Sequence, residues 1–232
     1  MPWEAFDPGK NDLLVGHKGT KLSRNEWEVR RGTRRARDEL ERRKRVHGIH
    51  AHEAVLSEHH LKTCIPPRFT QRLAARYTVE RWTALWDFWG ARWRARQRFA
   101  LKIREQRTSA HLANLVLGRK RDKVCVLGDA VFNASQKGLP PTPTLAIRRY
   151  LARFGRVVLV DEFRTSKTCN ICGDEMHKHP KAWTIYSCKR CKITWSRDRN
   201  ASMNIANVYR RHQKGTPRPA HLCRNTGHAT PR

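Results

Sequence analysis

The sequence of 232 residues predicts an α/β fold with one mixed β-sheet, flanking helices and a small inserted metal-binding ribbon. Three observations carry this prediction. The chain opens with three short strand patterns, and two more buried-strand patterns follow later with a helical pattern between them. Two C-x2-C pairs lie beyond the last of these strands. A chain of this length with 38% hydrophobic residues can bury one main core and a small appendage.

Turn signals separate the first three strands. Residues 3–6 run into a D-P-G turn at Asp7, and residues 13–15 and 21–22 continue as a hairpin. The pattern therefore predicts three antiparallel strands. Taken by itself, Asp7 is read as a turn-forming residue at the end of the first strand.

Two helical regions follow. Ser23 and Glu26 form a capping-box pattern before a charged run that ends at Arg45, interpreted either as a solvated helix or as a phosphate-contacting face. From residue 70 to 117, apolar residues recur at three- and four-residue steps. This stripe contains Leu73, Val79, Trp82, Trp86, Trp89, Trp93, Ala100 and Ile103. It is predicted to pack into the core rather than to stack on bases, because a helix needs one buried face.

The two later strand patterns, 123–127 and 156–160, enclose a Gly/Pro-rich loop and a short basic helical pattern, 144–154. The order strand, helix, strand predicts a parallel pair in the same sheet.

Four acidic residues are expected at one edge of this sheet. Three follow the C-terminal ends of strands and one begins the last helix: Asp7, Asp129, Glu162 and Asp198. Ligands collect at this edge in open α/β sheets. Glu162 and Asp198, each taken alone, are read as ordinary surface acids. Because several uncompensated carboxylates do not converge without a cation, the set predicts a divalent-metal site.

Four cysteines form two C-x2-C pairs that are fifteen residues apart: Cys169, Cys172, Cys188 and Cys191. This spacing is typical of a structural zinc site built on two tight turns. Two disulfides are the alternative, disfavoured because no secretory signal is recognised before them. Lys192 stands where the second turn often carries Gly. Closure of such a ribbon brings Glu162 towards Asp198.

The charge of the chain points to a polyanionic partner. Its formal net charge is +29 and its sequence pI is about 11.1. Nucleic acid is the expected partner. A membrane surface is disfavoured, because the sequence has no long apolar segment and its basic residues are spread over the whole chain.

These motifs resemble a known family. The segments AFDPGKNDL, VLGDA, DEFRTSKTCNICG, CKRC and SRDRNASMNI resemble the nuclease domain with inserted zinc ribbon of the TnpB transposon proteins. They look closest to the Fanzor proteins, the eukaryotic and viral relatives of TnpB, and are more distantly similar to type V CRISPR effectors. The resemblance runs from Trp3 to about Tyr209. It implies an RNase H-like (RuvC-like) fold and an RNA-guided DNA endonuclease.

The resemblance also implies the catalytic residues. The family's first acid lies in D-P-G, which is Asp7, and its last lies in D-x-N-A, which is Asp198. TnpB proteins carry the middle acid as Glu at the end of the fourth strand, where this chain has Asp129. Fanzor-like members place it in D-E-[FY]-R-T-S, so Glu162 is the expected residue. Three carboxylates can hold two catalytic Mg²⁺ ions about 3.5 to 4 Å apart for phosphodiester cleavage.

Basic residues beside the acids, Arg164, Lys167 and Arg199, are expected to seat the phosphates of the cleaved strand. The implied partners are DNA and a guide RNA, with a separate chain or a further N-terminal region that binds the guide. The expected domains are a first nuclease part (1–167), the zinc ribbon (168–192), a closing helix (193–212) and a basic disordered tail (213–232).

Three classes of function are open. The first is a metal-dependent nuclease, active alone or as half of an RNA-guided complex. The second is a truncated, catalytically incompetent remnant that only binds nucleic acid. The third is a zinc-ribbon interaction domain of a larger assembly. The intact set Asp7, Glu162 and Asp198 favours the first. The chain is expected not to be secreted, and to act in the nucleus if its source is eukaryotic or viral and otherwise in the cytoplasm.

Overall fold

The computed structural model describes residues 1–58, 76, 79, 81–130, 132, 142–180 and 182–224. The chain divides into two compact units. The sheet unit comprises Met1–Trp27 and Thr108–Arg232, and the helical unit comprises Glu28–Arg107. The predicted first nuclease part, 1–167, is therefore interrupted by a second unit.

A five-stranded mixed sheet forms the centre of the sheet unit. Its strands are β1 (Trp3–Asp7), β2 (Asp12–Gly16), β3 (Lys21–Ser23), β4 (Val124–Gly128) and β5 (Val157–Val160), in the order β3-β2-β1-β4-β5. The first three strands pair antiparallel, whereas β1 with β4 and β4 with β5 pair parallel. The predicted antiparallel opening and the predicted parallel pair are both confirmed.

The described helices are α1 (Arg24–Arg31), α2 (Thr33–Val46), α3 (Ile49–Glu58), α4 (Trp82–Trp89), α5 (Arg92–Leu117), α6 (Thr144–Phe154) and α7 (Arg197–Gln213). In the sheet unit, helices cover both faces of the sheet. Phe6 lies on one face with residues of α5 and α6 such as Leu112 and Leu151. Ala5 lies on the other face with Ile205 of α7. Because side chains alternate along a strand, Asp7 lies on the same face as Ala5, the face covered by α7.

The ribbon has its own small antiparallel sheet. Its strands are β6 (His177–His179), β7 (Ala182–Cys188) and β8 (Ile193–Ser196), with β7 in the centre. Tyr186 of β7 pairs with Trp195 of β8. The ribbon therefore extends to Ser196, and the closing helix starts at Arg197 rather than at the predicted residue 193, because the apolar β8 pairs with β7 before the chain turns into α7.

The tryptophan stripe of the helical unit is not buried in its described part, so the prediction of a single core helix over 70–117 is wrong there. The helix is interrupted between α4 and α5. Trp82 and Trp86 are 53% and 60% exposed, and Val79 is exposed as well. Leu73 lies outside the described residues.

Few apolar side chains are available to cover this stripe. Among the described residues of the helical unit, the buried hydrophobic ones are Ile49 and Phe88. Cations pack on the inner tryptophans instead: Arg43 lies over Trp93 at 4.5 Å, and Lys44 and Arg94 lie over Trp89 at 5.2 and 5.3 Å. Cation–π contacts thus replace part of the expected apolar core.

The segment after α7 is folded as far as residue 224, so the expected disordered tail is wrong for 214–224. Leu222 is fully buried in a 3-10 turn, Ala220–Leu222. Arg224 and Arg218 both contact the Asp161 carboxylate. The expectation for 225–232 lies outside the described residues. Within the described part of the chain, no helix combines the length and apolar character needed to cross a bilayer.

Candidate functional site

The acidic edge of the sheet is centred on Asp7. This residue ends β1, the middle strand of the sheet, and its exposed fraction is 7%. Asp198 lies in the first turn of α7, which packs on the same face of the sheet through Ile205. Glu162 follows β5 by two residues. Three separate elements therefore deliver these acids to one region.

The Asp7 carboxyl group is affected by the charges of the other two acids. Burial raises the pKa of Asp7 well above its usual range, and the charges of Glu162 and Asp198 raise it further, while the Arg197 guanidinium lowers it. The ionised form of Asp7 is therefore disfavoured in this region. Among the described residues, the four cysteines, and not the three acids, form a group whose potential ligand atoms all lie within 4.8 Å of one another.

The two candidate middle acids differ in their surroundings. Glu162 is half-buried, and burial raises its pKa to about 7 although the N–H of Ala130 donates a hydrogen bond to its Oε1 at 3.3 Å. Asp129 is exposed, and its Oδ1 accepts a hydrogen bond from the backbone N–H of Glu162 at 3.2 Å. Asp129 thus holds the loop that carries Glu162.

Gly128 makes room for the Glu162 side chain. Gly128 pairs with Val160 at the ends of the parallel strands β4 and β5. A Cβ atom at position 128 would overlap the Glu162 carboxyl group. The space that a side chain at the end of β4 would occupy is therefore filled by the carboxyl group arriving from β5. Arg148 of α6 donates to the carbonyl oxygens of Gly128 and Ala130 at 3.1 and 3.0 Å, which fixes the end of β4.

Two asparagines of α7 connect the acidic edge to the ribbon. The Nδ2 groups of Asn200 and Asn204, both fully buried, each donate to the carbonyl oxygens of Thr165 and Thr168 at 2.7 to 3.2 Å. Asn200 Oδ1 also accepts the N–H of Asn170 at 3.0 Å. The D-x-N-A-x-x-N motif therefore binds the T-S-K-x-C loop that links Glu162 to the first cysteine pair.

The predicted phosphate-binding residues lie in different settings. Arg199 donates to the Gly16 carbonyl oxygen at 3.2 Å, and Arg164 lies 3.9 Å from the Glu175 carboxylate. Lys167 is exposed. Sequence reasoning missed Arg197, whose Nε donates to Asp198 Oδ1 at 2.9 Å. Its position directly before the D-x-N-A acid is the signal that could have indicated it.

The four cysteines form a compact group of sulfur atoms. Cys169 and Cys191 Sγ are 4.0 Å apart, and Cys172 and Cys188 Sγ are 3.5 Å apart. A tetrahedral zinc ion with Zn–S bonds of about 2.3 Å requires sulfur separations of roughly 3.8 Å. Contact with Cys172 is the main cause that raises the pKa of Cys191 to about 12. The donor set and its spacing fit a structural zinc ion, which would stabilise the crowded thiolates.

Both cysteine turns use left-handed backbone. Gly173 has φ 79° and Lys192 has φ 55°. The N–H of Cys191 donates to Cys188 Sγ at 3.4 Å, as expected for a metal-binding turn. Lys192, which stands where such turns often carry Gly, therefore occupies a backbone conformation that favours glycine.

Comparisons with known proteins agree with this architecture. The family model of the Cas12f1-like TNB domain matches residues 147–205. The fold is similar to that of the mini-RNA-guided endonuclease CRISPR-Cas_phi3, with a TM-score of 0.52, 13% identity, and coverage of 94% of this chain and 45% of that one. The Cas12f1-sgRNA-target DNA complex aligns with a TM-score of 0.43 and 16% identity over 89% of this chain and 50% of that one. No curated protein matched.

The segment that matches the Cas12f1-like TNB domain contains the four cysteines, Glu162 and Asp198. The mixed five-stranded sheet and the likeness to CRISPR-Cas_phi3 confirm the predicted α/β fold. The match over this segment agrees with the predicted resemblance to TnpB-like nucleases, while the Fanzor assignment stays a prediction. The chain spans 45% of the length of the endonuclease to which it is similar.

Proposed function

We propose that this chain is the nuclease part of a metal-dependent DNA endonuclease of the RNA-guided TnpB/Fanzor type. The observation that carries the proposal is the burial of Asp7 at a strand end, where the charges of Glu162 and Asp198 act on it. Buried acids that repel one another disfavour the folded state unless they serve a cation or share a proton.

The donor set fits magnesium. Asp7, Glu162 and Asp198 offer only carboxylate oxygens, the ligands that Mg²⁺ prefers. The raised pKa values of Asp7 and Glu162 have burial as their main cause, and a divalent cation would favour the ionised forms of both. When bound, two Mg²⁺ ions would activate the attacking water and stabilise the leaving oxygen.

The protein's own contribution is to hold the acids in place. Glu162 is oriented by the Ala130 N–H and by the space above Gly128, and its loop is fixed by Asp129. Arg197 holds Asp198 and places a positive charge near Asp7. A guanidinium at this position can also bind a phosphate of the DNA strand.

The four cysteines are proposed to hold a structural zinc ion that has no open coordination position. The proposed partners are DNA, bound through the net charge of +29, and a guide RNA that supplies sequence specificity by base pairing. Guide binding is assigned to a further region of the protein or to a separate chain. The nuclease part is proposed to comprise the sheet unit with its ribbon.

The proposal is tested by nicking of single-stranded DNA in the presence of Mg²⁺, with guide RNA and the guide-binding region supplied. Asp7→Asn and Asp198→Asn are expected to abolish cleavage, because each removes a charged metal ligand. Both variants should keep DNA binding, since the basic surface is unchanged. Chelation by EDTA should stop cleavage by the unmodified protein.

Asp122→Asn is the matched control. Asp122 is an exposed acid before β4, at the opposite end of the strand from Asp129, and its loss should leave cleavage unchanged. Cleavage that persists in Asp7→Asn, or that survives EDTA, would contradict the proposed function. Absence of cleavage in every variant and in the unmodified protein, with DNA binding intact, would instead identify a nucleic-acid-binding remnant.

A further inference from the structure

One exposed aromatic surface of the helical unit has no role in the proposed nuclease centre. Trp82 and Trp86, one turn apart on α4, stack on each other with ring centroids 5.4 Å apart and an interplanar angle of 19°. They are 53% and 60% exposed. We call them the stacked tryptophan pair. Exposed apolar surfaces made of adjacent residues are typical of interaction sites.

The other aromatic residues of this region are already engaged. Phe88 is buried and makes edge contacts with Trp89 and Trp93. Trp89 lies under Lys44 and Arg94. The stacked tryptophan pair thus contains the two most exposed aromatic side chains of α4.

The charge of the chain segment that carries this surface indicates the class of ligand. Residues 81–107 contain eight Lys or Arg and two Asp or Glu. Arg92, Arg96 and Arg98 of α5 are exposed and form no ion pair with any described residue. An apolar protein helix would not require such a density of positive charge, whereas a ligand with flat apolar rings on an anionic backbone matches both features.

We propose that the stacked tryptophan pair is a base-stacking platform for a single DNA strand whose phosphates are held by the exposed arginines of α5. Unpaired bases can stack on an open indole face, whereas the bases of a duplex are already stacked on each other. The choice of DNA rests on the proposed function, since a DNA strand is the substrate of the proposed nuclease centre. The proposal that bases stack here rests only on the exposed rings of Trp82 and Trp86 and on the positive charge of residues 81–107.

The experiment separates stacking from charge. The full chain with Asp7→Asn is used with EDTA, so that cleavage does not interfere, and its binding to oligo(dT) is compared with binding to an abasic deoxyribose-phosphate chain of equal length. The double variant Trp82→Ala/Trp86→Ala is expected to lose about tenfold or more in oligo(dT) affinity. Its binding to the abasic chain and its salt dependence should not change, because phosphate contacts set both.

Two further variants control for folding and for general surface effects. Trp82→Phe/Trp86→Phe should retain most of the oligo(dT) affinity, because stacking rings remain. Phe99→Ala removes a single aromatic ring of α5 that is 68% exposed, and it should have little effect. If the alanine variant loses helical content, two measurements still test the proposal. The parent protein should bind oligo(dT) more tightly than the abasic chain, and the phenylalanine variant should keep this preference.

Three outcomes would overturn the platform. These are equal affinity of the parent protein for oligo(dT) and the abasic chain, an equal loss on both in the alanine variant, or an equal loss of oligo(dT) affinity in Phe99→Ala. Each can be read independently of the nuclease assay. A protein that does not cut DNA but shows the expected base preference would contradict the proposed function and leave the platform standing.

Discussion

Different interactions stabilise the sheet unit and the helical unit, each within itself. The sheet unit packs apolar side chains on both faces of its sheet and adds a four-cysteine site. The described part of the helical unit buries Ile49 and Phe88 and relies on cation–π contacts with Trp89 and Trp93. Burial thus fixes the proposed catalytic groups of the sheet unit, whereas a weakly buried, cationic unit is suited to binding a flexible polyanion.

The largest effect is expected at the cysteine site of the sheet unit. Cys188→Ser should abolish stoichiometric zinc binding and unfold the ribbon, because binding of a structural zinc contributes about 10 kcal/mol or more in small zinc domains. Zinc content by mass spectrometry and protease sensitivity of 168–196 measure it. Cys223→Ser is the control: this thiol donates to the Pro219 carbonyl at 3.4 Å and is not in the sulfur group, so zinc content should be normal. Unchanged zinc content in Cys188→Ser would refute the assignment.

The next effect concerns the small core of the helical unit. Phe88→Ala removes a buried ring that contacts His47, Trp89 and Trp93, and it is expected to cost about 3 to 5 kcal/mol. Hydrogen exchange within α3 and α4 should accelerate accordingly. The exposed Phe99 provides the matched control, since Phe99→Ala should change stability by no more than about 0.5 kcal/mol. Equal effects of the two changes would show that Phe88 does not form a core.

A smaller effect is expected at Gly128. Gly128→Ala places a Cβ on the Glu162 carboxyl group and should destabilise the protein by about 1 to 3 kcal/mol. The same change in a Glu162→Ala background should cost much less, because the overlapping group is gone. Denaturant unfolding of the four proteins of this double-mutant cycle measures the coupling. Additive effects would mean that Gly128 and Glu162 do not share this space.

The smallest effect is a change of stability with pH. Burial raises the pKa of Glu162 from 4.5 to about 7, so the folded protein holds this proton more tightly than the unfolded chain. This contribution to stability is full below about pH 4.5 and is lost as the pH rises to about 7. Without divalent metal, the melting temperature should fall less steeply over this range in Glu162→Gln than in the unmodified protein. Glu175→Gln, at an exposed acid, should match the unmodified slope.

Sequence reasoning succeeded where spacing carries the information. The antiparallel pairing of the first three strands, the parallel pairing of β4 with β5 and the grouping of the four cysteines follow from local patterns in the sequence. The tryptophan stripe shows the limit of such patterns. Periodicity identifies the apolar face of α4 but does not show what covers that face. Whether Trp82 and Trp86 are buried depends on the apolar side chains that the rest of the unit supplies, and both are exposed.

Other features depend on three-dimensional register. The fit of Glu162 above Gly128 follows from the pairing of Gly128 with Val160, which no sequence pattern specifies. The hydrogen bonds of Asn200 and Asn204 to the loop at Thr165 explain why two distant motifs occur together, but only once α7 is placed on the sheet. The folded segment after α7 is likewise held by tertiary ion pairs, here to Asp161.

The central claim is that Glu162, and not Asp129, is the middle acid of the nuclease centre. The direct measurement is Mg²⁺-dependent nicking of single-stranded DNA by Glu162→Gln and Asp129→Asn, with guide RNA and the guide-binding region supplied. Glu162 is half-buried beside Asp7, whereas Asp129 is exposed and accepts the Glu162 N–H. We therefore expect Glu162→Gln to abolish nicking and Asp129→Asn to retain most of it. Full activity in Glu162→Gln with loss in Asp129→Asn would contradict the account.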